Sequence, residues 1–140
     1  MAAAREDLLA SVHPLAKALR RIEDAAAATQ GLTMWRYAIL RGADAVPGST
    51  QNDLAARLGY SRNRIVADLD ALEESTLVVR RRAADRRANA IEITVAGRRV
   101  MRAVQREIHR REDELLADLS PTTRRDLARA VERAAQAVRA

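Results

Sequence analysis

Cysteine and phenylalanine are absent, and the aromatic residues are only Trp35, Tyr37 and Tyr60. The missing thiols exclude structural disulfides, thiolate zinc sites, Cys nucleophiles and sensing through a reversible sulfenate. With so few rings, the core has to be built from Leu, Ile, Val, Met and an unusual amount of Ala, a composition that favours helix. Lysine is almost missing too, since Lys17 is the only one among 25 Lys and Arg residues. Apolar runs are short, and none approaches the roughly 18 residues of a membrane span. The opening Met1-Ala2-Ala3-Ala4-Arg5-Glu6-Asp7 carries no apolar signal segment, so the chain is read as cytoplasmic, with no membrane partner.

What is present is 140 residues, the length of one ordinary domain, which leaves little room for an enzyme with a separate cofactor module. Hydrophobic residues make up 48% and charged ones 31%, enough for a packed core under a solvated surface. The net charge of +6 fits a polyanionic partner, although a GC-rich genome inflates Arg and Ala together, so charge by itself does not decide the matter.

Leu8, Val12, Leu15, Leu19, Ile22 and Ala26 recur at spacings of four and three, the mark of one helix face or a coiled-coil-like seam. Pro14 lies inside this pattern, so the regular helix either starts near a Ser11 cap or is kinked at the proline. Gly31 ends the region. Thr33 then reads as the N-cap of a second helix carrying Met34, Trp35, Ala38, Ile39 and Leu40, closed by the turn-rich stretch from Gly42 to Ser49.

A third helix starts at Ser49 or Thr50, with Asp53 as the acidic member of a capping box and Leu54, Ala55 and Leu58 facing inward, until Gly59 closes it. Ser61 caps the next helix, Tyr60 is placed to staple against Ile65, and Ile65, Leu69 and Leu72 mark its inner face. Two helices joined through Gly59 and Tyr60 form a helix–turn–helix that lets the second protrude. Leu77–Arg80 and Ala90–Thr94 read as two strands around a loop holding Ala83-Ala84-Asp85-Arg86-Arg87, which makes a hairpin, or wing. Helical spacing returns from Val95 to about Leu119, a span of about 36 Å. Ser120-Pro121 opens a last helix with a stripe of Leu127, Val131, Ala134, Ala135 and Val138. The expected fold is mainly α with a small two-stranded β wing: a winged helix–turn–helix with a helical dimerisation region.

The stretch from Arg80 to Arg87 holds Arg80, Arg81, Arg82, Arg86 and Arg87 against one acid, Asp85. Fixed guanidinium groups on a hairpin suit the narrow, electronegative minor groove. Asp85 stands two residues before Arg87, where it either orients that guanidinium or caps backbone amides in the loop. Ser61, Arg62, Asn63 and Arg64 occupy the first turn of the protruding helix, and Arg and Asn suit bidentate contacts with guanine and adenine. Asp68, one turn on, either pairs with Arg64 or faces DNA.

Other chemistries have less to stand on. His109 and Glu112 share a helix face, but the only other histidine is His13, so no metal site is expected. The chain has no GxSxG, no phosphate-cradling Gly loop and no isolated carboxylate pair, which argues against an enzyme and gives no reason for a cofactor. Met34, Trp35 and Tyr37 fit core or interface positions, and they are also the candidates for lining a small-molecule pocket.

Asp85-Arg86-Arg87 followed by Ile91-Glu92-Ile93-Thr94-Val95-Ala96-Gly97 resembles the D-x-R wing and L-T-x-x-G exit of the MarR family of bacterial winged helix–turn–helix regulators. Gly31-Leu32-Thr33 with Trp35 and Leu40, Thr50-Gln51-Asn52-Asp53-Leu54-Ala55, and Leu72-Glu73 are similar to the family's pattern as well, from about Leu15 onward. The resemblance implies that Arg87 is a minor-groove arginine oriented by Asp85, and that Ser61, Arg62 and Arg64 begin a recognition helix. It further implies a homodimer built from the first, fifth and sixth helices on a palindromic operator. The chain departs from the family where Thr76 replaces a usual Gly, Ala67 a basic residue and Asp68 an apolar one.

These readings divide the chain into a dimerisation helix (1–32), a winged helix–turn–helix (33–97) and C-terminal dimerisation helices (98–140). The expected function is a dimeric regulator of double-stranded DNA, a repressor released by a small-molecule effector. Its two recognition helices would enter successive major grooves about 34 Å apart. The competing reading is a helical interaction module whose winged region binds protein.

Overall fold

Leu8, Leu9 and Ala10 are good helix formers, and they carry the first helix back past Pro14. The computed structural model describes residues 4–82 and 89–139, and in it α1 spans Leu8–Ala28. Asp7 precedes α1 in extended backbone without a side-chain cap, so Ser11 lies inside the helix rather than at its start. Contacts gather the chain into two compact units, Met1–Ile108 and His109–Ala140.

In the first unit, α2 (Met34–Ala45) begins at Thr33, whose hydroxyl accepts the Arg36 N–H at 3.2 Å. It runs on through Gly42 instead of stopping there. A Cβ on Gly42 would lie 3.0 Å from Leu54 Cδ2, so this glycine serves close packing of α2 against α3 (Gln51–Leu58). The α3 capping box forms as expected: Thr50 Oγ1 accepts from the Asp53 N–H, and the Asp53 carboxylate accepts from the Thr50 N–H, both at 3.1 Å. Those hydrogen bonds hold the Asp53 carboxyl below its ordinary pKa. Gly59, at φ +67°, ends α3 in left-handed backbone. Ser61 then opens α4 (Arg62–Glu74), its hydroxyl accepting from the Arg64 N–H at 3.3 Å.

The end of α4 turns on Thr76. Thr76 N–H donates to Glu73 O and Leu77 N–H to Leu72 O, both at 2.9 Å, the paired bonds of a Schellman stop. That stop needs a left-handed residue, and Thr76 supplies it at φ +63°. A β-branched side chain is strained there.

Beyond it, β1 (Val78–Arg82) and β2 (Asn89–Ile93) pair antiparallel, with Val78 opposite Ile93 and Arg82 opposite Asn89. The expected strands are present, with β1 shifted by a residue or two toward the loop. Ile91 N–H donates to Ser49 O at 2.8 Å, and Thr50 bridges Ala90, which ties the start of α3 to the hairpin. Ile39, Leu40, Leu54, Ile65, Leu69, Leu72, Val78, Ile91 and Val104 form the fully buried centre of this unit. Eight of these nine come from the winged region, and burial there positions α4 against the hairpin.

Thr94 starts α5 (Val95–Leu115). Its hydroxyl accepts from Gly97 N–H at 2.9 Å and donates to Thr76 O at 2.7 Å. A Cβ on Gly97 would fall 2.0 Å from the Leu77 carbonyl oxygen, so the Thr-x-x-Gly exit is a close backbone contact that only glycine permits. The helix ends at Leu115, short of the expected Leu119.

In the second unit, Ser120 caps α6 (Pro121–Arg139) by accepting from Thr123 N–H at 3.1 Å, with Pro121 in the first helical position. Arg124 lies 3.7 Å from Asp113, near the end of α5. The apolar stripe on α6 is present but uncovered: none of its described residues is buried, and Val138 is 85% exposed.

Candidate nucleic-acid interface

The first turn of α4 displays Ser61, Arg62, Asn63 and Arg64, all exposed. Capping leaves the remaining N–H groups of that turn facing outward, and the helix dipole makes this end attractive to anions. The buried face of the same helix, Ile65, Leu69 and Leu72, fixes the direction in which this turn projects.

Arg64 does not pair with Asp68. Its guanidinium carbon lies 5.0 Å from the ring centre of Trp35 on α2 and 5.6 Å from that of Tyr60. The two rings meet edge to face, with centres 5.0 Å apart and planes at 90°. Asp68 is held from elsewhere: Arg36 Nε donates to one carboxylate oxygen at 3.1 Å, and the Tyr60 hydroxyl donates to the other. The question the sequence left open is thereby answered, since the acid is engaged by α2 and by the turn residue Tyr60. Burial pushes the Tyr60 phenol up from its ordinary pKa, and its hydrogen bond to the Asp68 carboxylate and that group's charge push it further.

At the wing, Arg82 is placed by its backbone as the last residue of β1, while Asp85, Arg86 and Arg87 lie outside the described residues. The root of the hairpin is less positive than a count of arginines implies. Arg80 donates to Glu73 at 2.6 Å and to Asp70, both on α4, and Arg81 pairs with Glu92 across the strands. The hydrogen bond to Glu73 and then that to Asp70 raise the Arg80 pKa, so this guanidinium acts as a charged clamp between β1 and α4.

Met34, Trp35 and Tyr37 do not converge. Met34 and Trp35 are half-buried, and Tyr37 is in the core at 2% exposure. A hollow of about 150 Å³ beside Trp35 is lined by Gly59, Tyr60, Ser61 and Arg64, and neither Met34 nor Tyr37 borders it. A larger concavity, about 400 Å³, lies along the start of α5 among Val95, Arg98, Arg99, Arg102 and Arg106, with Arg98 donating to Asp44 at 3.0 Å. Among the described residues no three His, Asp or Glu side chains gather as metal ligands, and His109 with Glu112 finds no third.

Two groups escaped sequence reasoning. Arg36 meets Asp68 across 32 positions, a partnership that no local spacing announces. The Trp35–Arg64 stack is equally remote in sequence, although Tyr60 and Arg64 stand at i and i+4 and the chain has a single tryptophan.

A family model described as MarR family matches residues 30–88. A protein of Thauera aromatica assigned to transcriptional regulation of the hcr operon is 29% identical over 108 residues, covering 76% of this chain and 65% of that protein, so the match spans under two thirds of that relative's length. Among solved structures, the transcriptional repressor CouR bound to a 23-mer DNA duplex is 30% identical, with 92% of each chain covered and a TM-score of 0.77. Wild-type MarR of E. coli, in its apo form, is similar in fold at a TM-score of 0.83 and 16% identity, with 94% of this chain and 98% of that one covered.

Proposed function

The chain belongs to the MarR family, and from that premise we propose that it is a non-enzymatic, dimeric transcriptional repressor that binds palindromic double-stranded DNA. The observation that carries this reading is the exposed first turn of α4, with Ser61, Arg62, Asn63 and Arg64 projected by a capped helix–turn–helix beside a hairpin. In the reading, Arg62, Asn63 and Arg64 reach base edges or phosphates from the major groove, with Ser61 at the helix end. Arg87, oriented by Asp85, enters the minor groove with Arg86 and Arg82 near the backbone. The DNA-bound state of CouR supports the assignment.

A homodimer is supported by apolar surface that a single chain leaves in water. On α1, Leu8 is 68% and Leu9 69% exposed, and on α6 Val131 is 56% exposed. Within the proposal, residues 1–32 and 98–140 supply the dimer contacts and residues 33–97 read DNA. A small-molecule effector would release DNA by binding the two dimer geometries with different free energy, and of Met34, Trp35 and Tyr37 only Trp35 borders a hollow that could receive it.

Titration of duplex DNA from the intergenic region beside its own gene, at several salt concentrations, tests the function, with solution mass measured in parallel. The expected result is a dimer whose affinity falls steeply as salt rises. A well-folded lone chain with no salt-sensitive affinity for duplex would overturn the proposal and leave the protein-interaction module in its place.

A further inference from the structure

We infer that Trp35 and Tyr60 form a two-ring platform that sets the Arg64 guanidinium in position before DNA arrives, making Trp35 a positioning residue for base reading. The inference rests on the proposed role of α4. An exposed arginine ordinarily samples many rotamers and loses that freedom on docking. Arg64 is different, because its guanidinium carbon lies within cation–π range of two perpendicular rings. The guanidinium N–H groups radiate in one plane, so contact through its face leaves donors at its edge for a base or phosphate.

The platform is itself anchored. Asp68 accepts the Tyr60 hydroxyl and is matched by Arg36, which fixes the Tyr60 ring and occupies the one acid placed a turn beyond Arg64. The positive charge of Arg64 is therefore left for the ligand. Trp35 approaches from α2, so the aim of a recognition-helix side chain is set by a residue of another helix. The hollow beside Trp35 and Arg64 places the same contact within reach of whatever enters it.

Because the chain has one tryptophan, its fluorescence reports on the stack directly. Arg64→Ala is expected to change Trp35 emission in the DNA-free protein, and unchanged emission would overturn the platform whatever happens with DNA. Duplex affinity and base preference are then compared for wild type, Arg64→Ala, Trp35→Leu, Trp35→Phe and the Trp35→Leu/Arg64→Ala pair. Trp35→Leu is expected to weaken specific binding about fivefold and to broaden preference at the position that Arg64 reads, while Trp35→Phe, which keeps a ring, retains most of both. In the Arg64→Ala background, Trp35→Leu should add nothing.

An equal loss in both backgrounds would assign Trp35 a general structural role and overturn the inference, as would tighter binding by Trp35→Leu, the sign of a parked arginine. If Arg64→Ala leaves affinity and preference unchanged, the DNA role of this side chain fails. An emission change in the same variant would then show a stack that exists without serving DNA, and the inference would be overturned on that point.

Discussion

The hydroxyl of Thr94 donates to the carbonyl of Thr76 at 2.7 Å, joining the cap of α5 to the left-handed end of α4. One short contact thus closes the wing at its base and fixes where α4 stops relative to α5. Thr76 contributes its backbone to this junction, and its side chain only has to be tolerated there.

Thr76→Gly should therefore stabilise the protein. The carbonyl and N–H bonds survive, while the strain of a β-branched residue at φ +63° is relieved. After the extra freedom glycine gives the unfolded chain, a gain of about 1 kcal/mol is expected. A rise in the denaturant midpoint at unchanged slope is the check, and a lower midpoint would show that the threonine side chain contributes a contact of its own.

Arg87→Ala should weaken binding to all duplexes alike and lower the magnitude of the salt slope by about 1, with folding intact. Affinities measured against several unrelated duplexes over a salt series decide it. Undiminished affinity would remove the wing from the interface.

Tyr60 gives a pH signature. Its folded-state pKa is raised, so the stability it contributes is fully present below about pH 10, the ordinary tyrosine value, and is lost as pH climbs through the folded value. Ultraviolet titration of phenolate, wild type against Tyr60→Phe, should place the difference step above that ordinary value. The wild type should also lose more stability than Tyr60→Phe across the step. A step at or below about pH 10 would show that the Asp68 contact does not hold in solution.

The sequence carries a local signal wherever a handful of neighbouring residues decides the structure. Thr50 with Asp53, Gly59, Ser61 and Ser120 mark helix ends because a side-chain oxygen or a left-handed backbone is needed at one fixed offset. Thr94 and Gly97 enter through the resemblance to the family's exit motif, and the structure supplies the reasons, one a cap and the other a place where no Cβ fits. Gly42 misleads, because a glycine inside a helix looks like a terminator until Leu54 is seen packed against it. The start of α1 stays open between two readings and the end of α5 falls four residues short of the expected one, since propensity and periodicity fade gradually where no cap is decisive. At the candidate interface, the identity of the first turn of α4 could be read, but the neighbours of Arg64, Asp68 and Arg80 could not. Those depend on which surfaces tertiary packing brings together.

A nineteen-residue helix with none of its described side chains fully buried draws little of its stability from packing within one chain. If the chain pairs as proposed, mass action makes cellular abundance a determinant of the conformation of α6. Dilution would then fray this segment before the winged region, and the gene's expression level would set how much of the population is fully ordered.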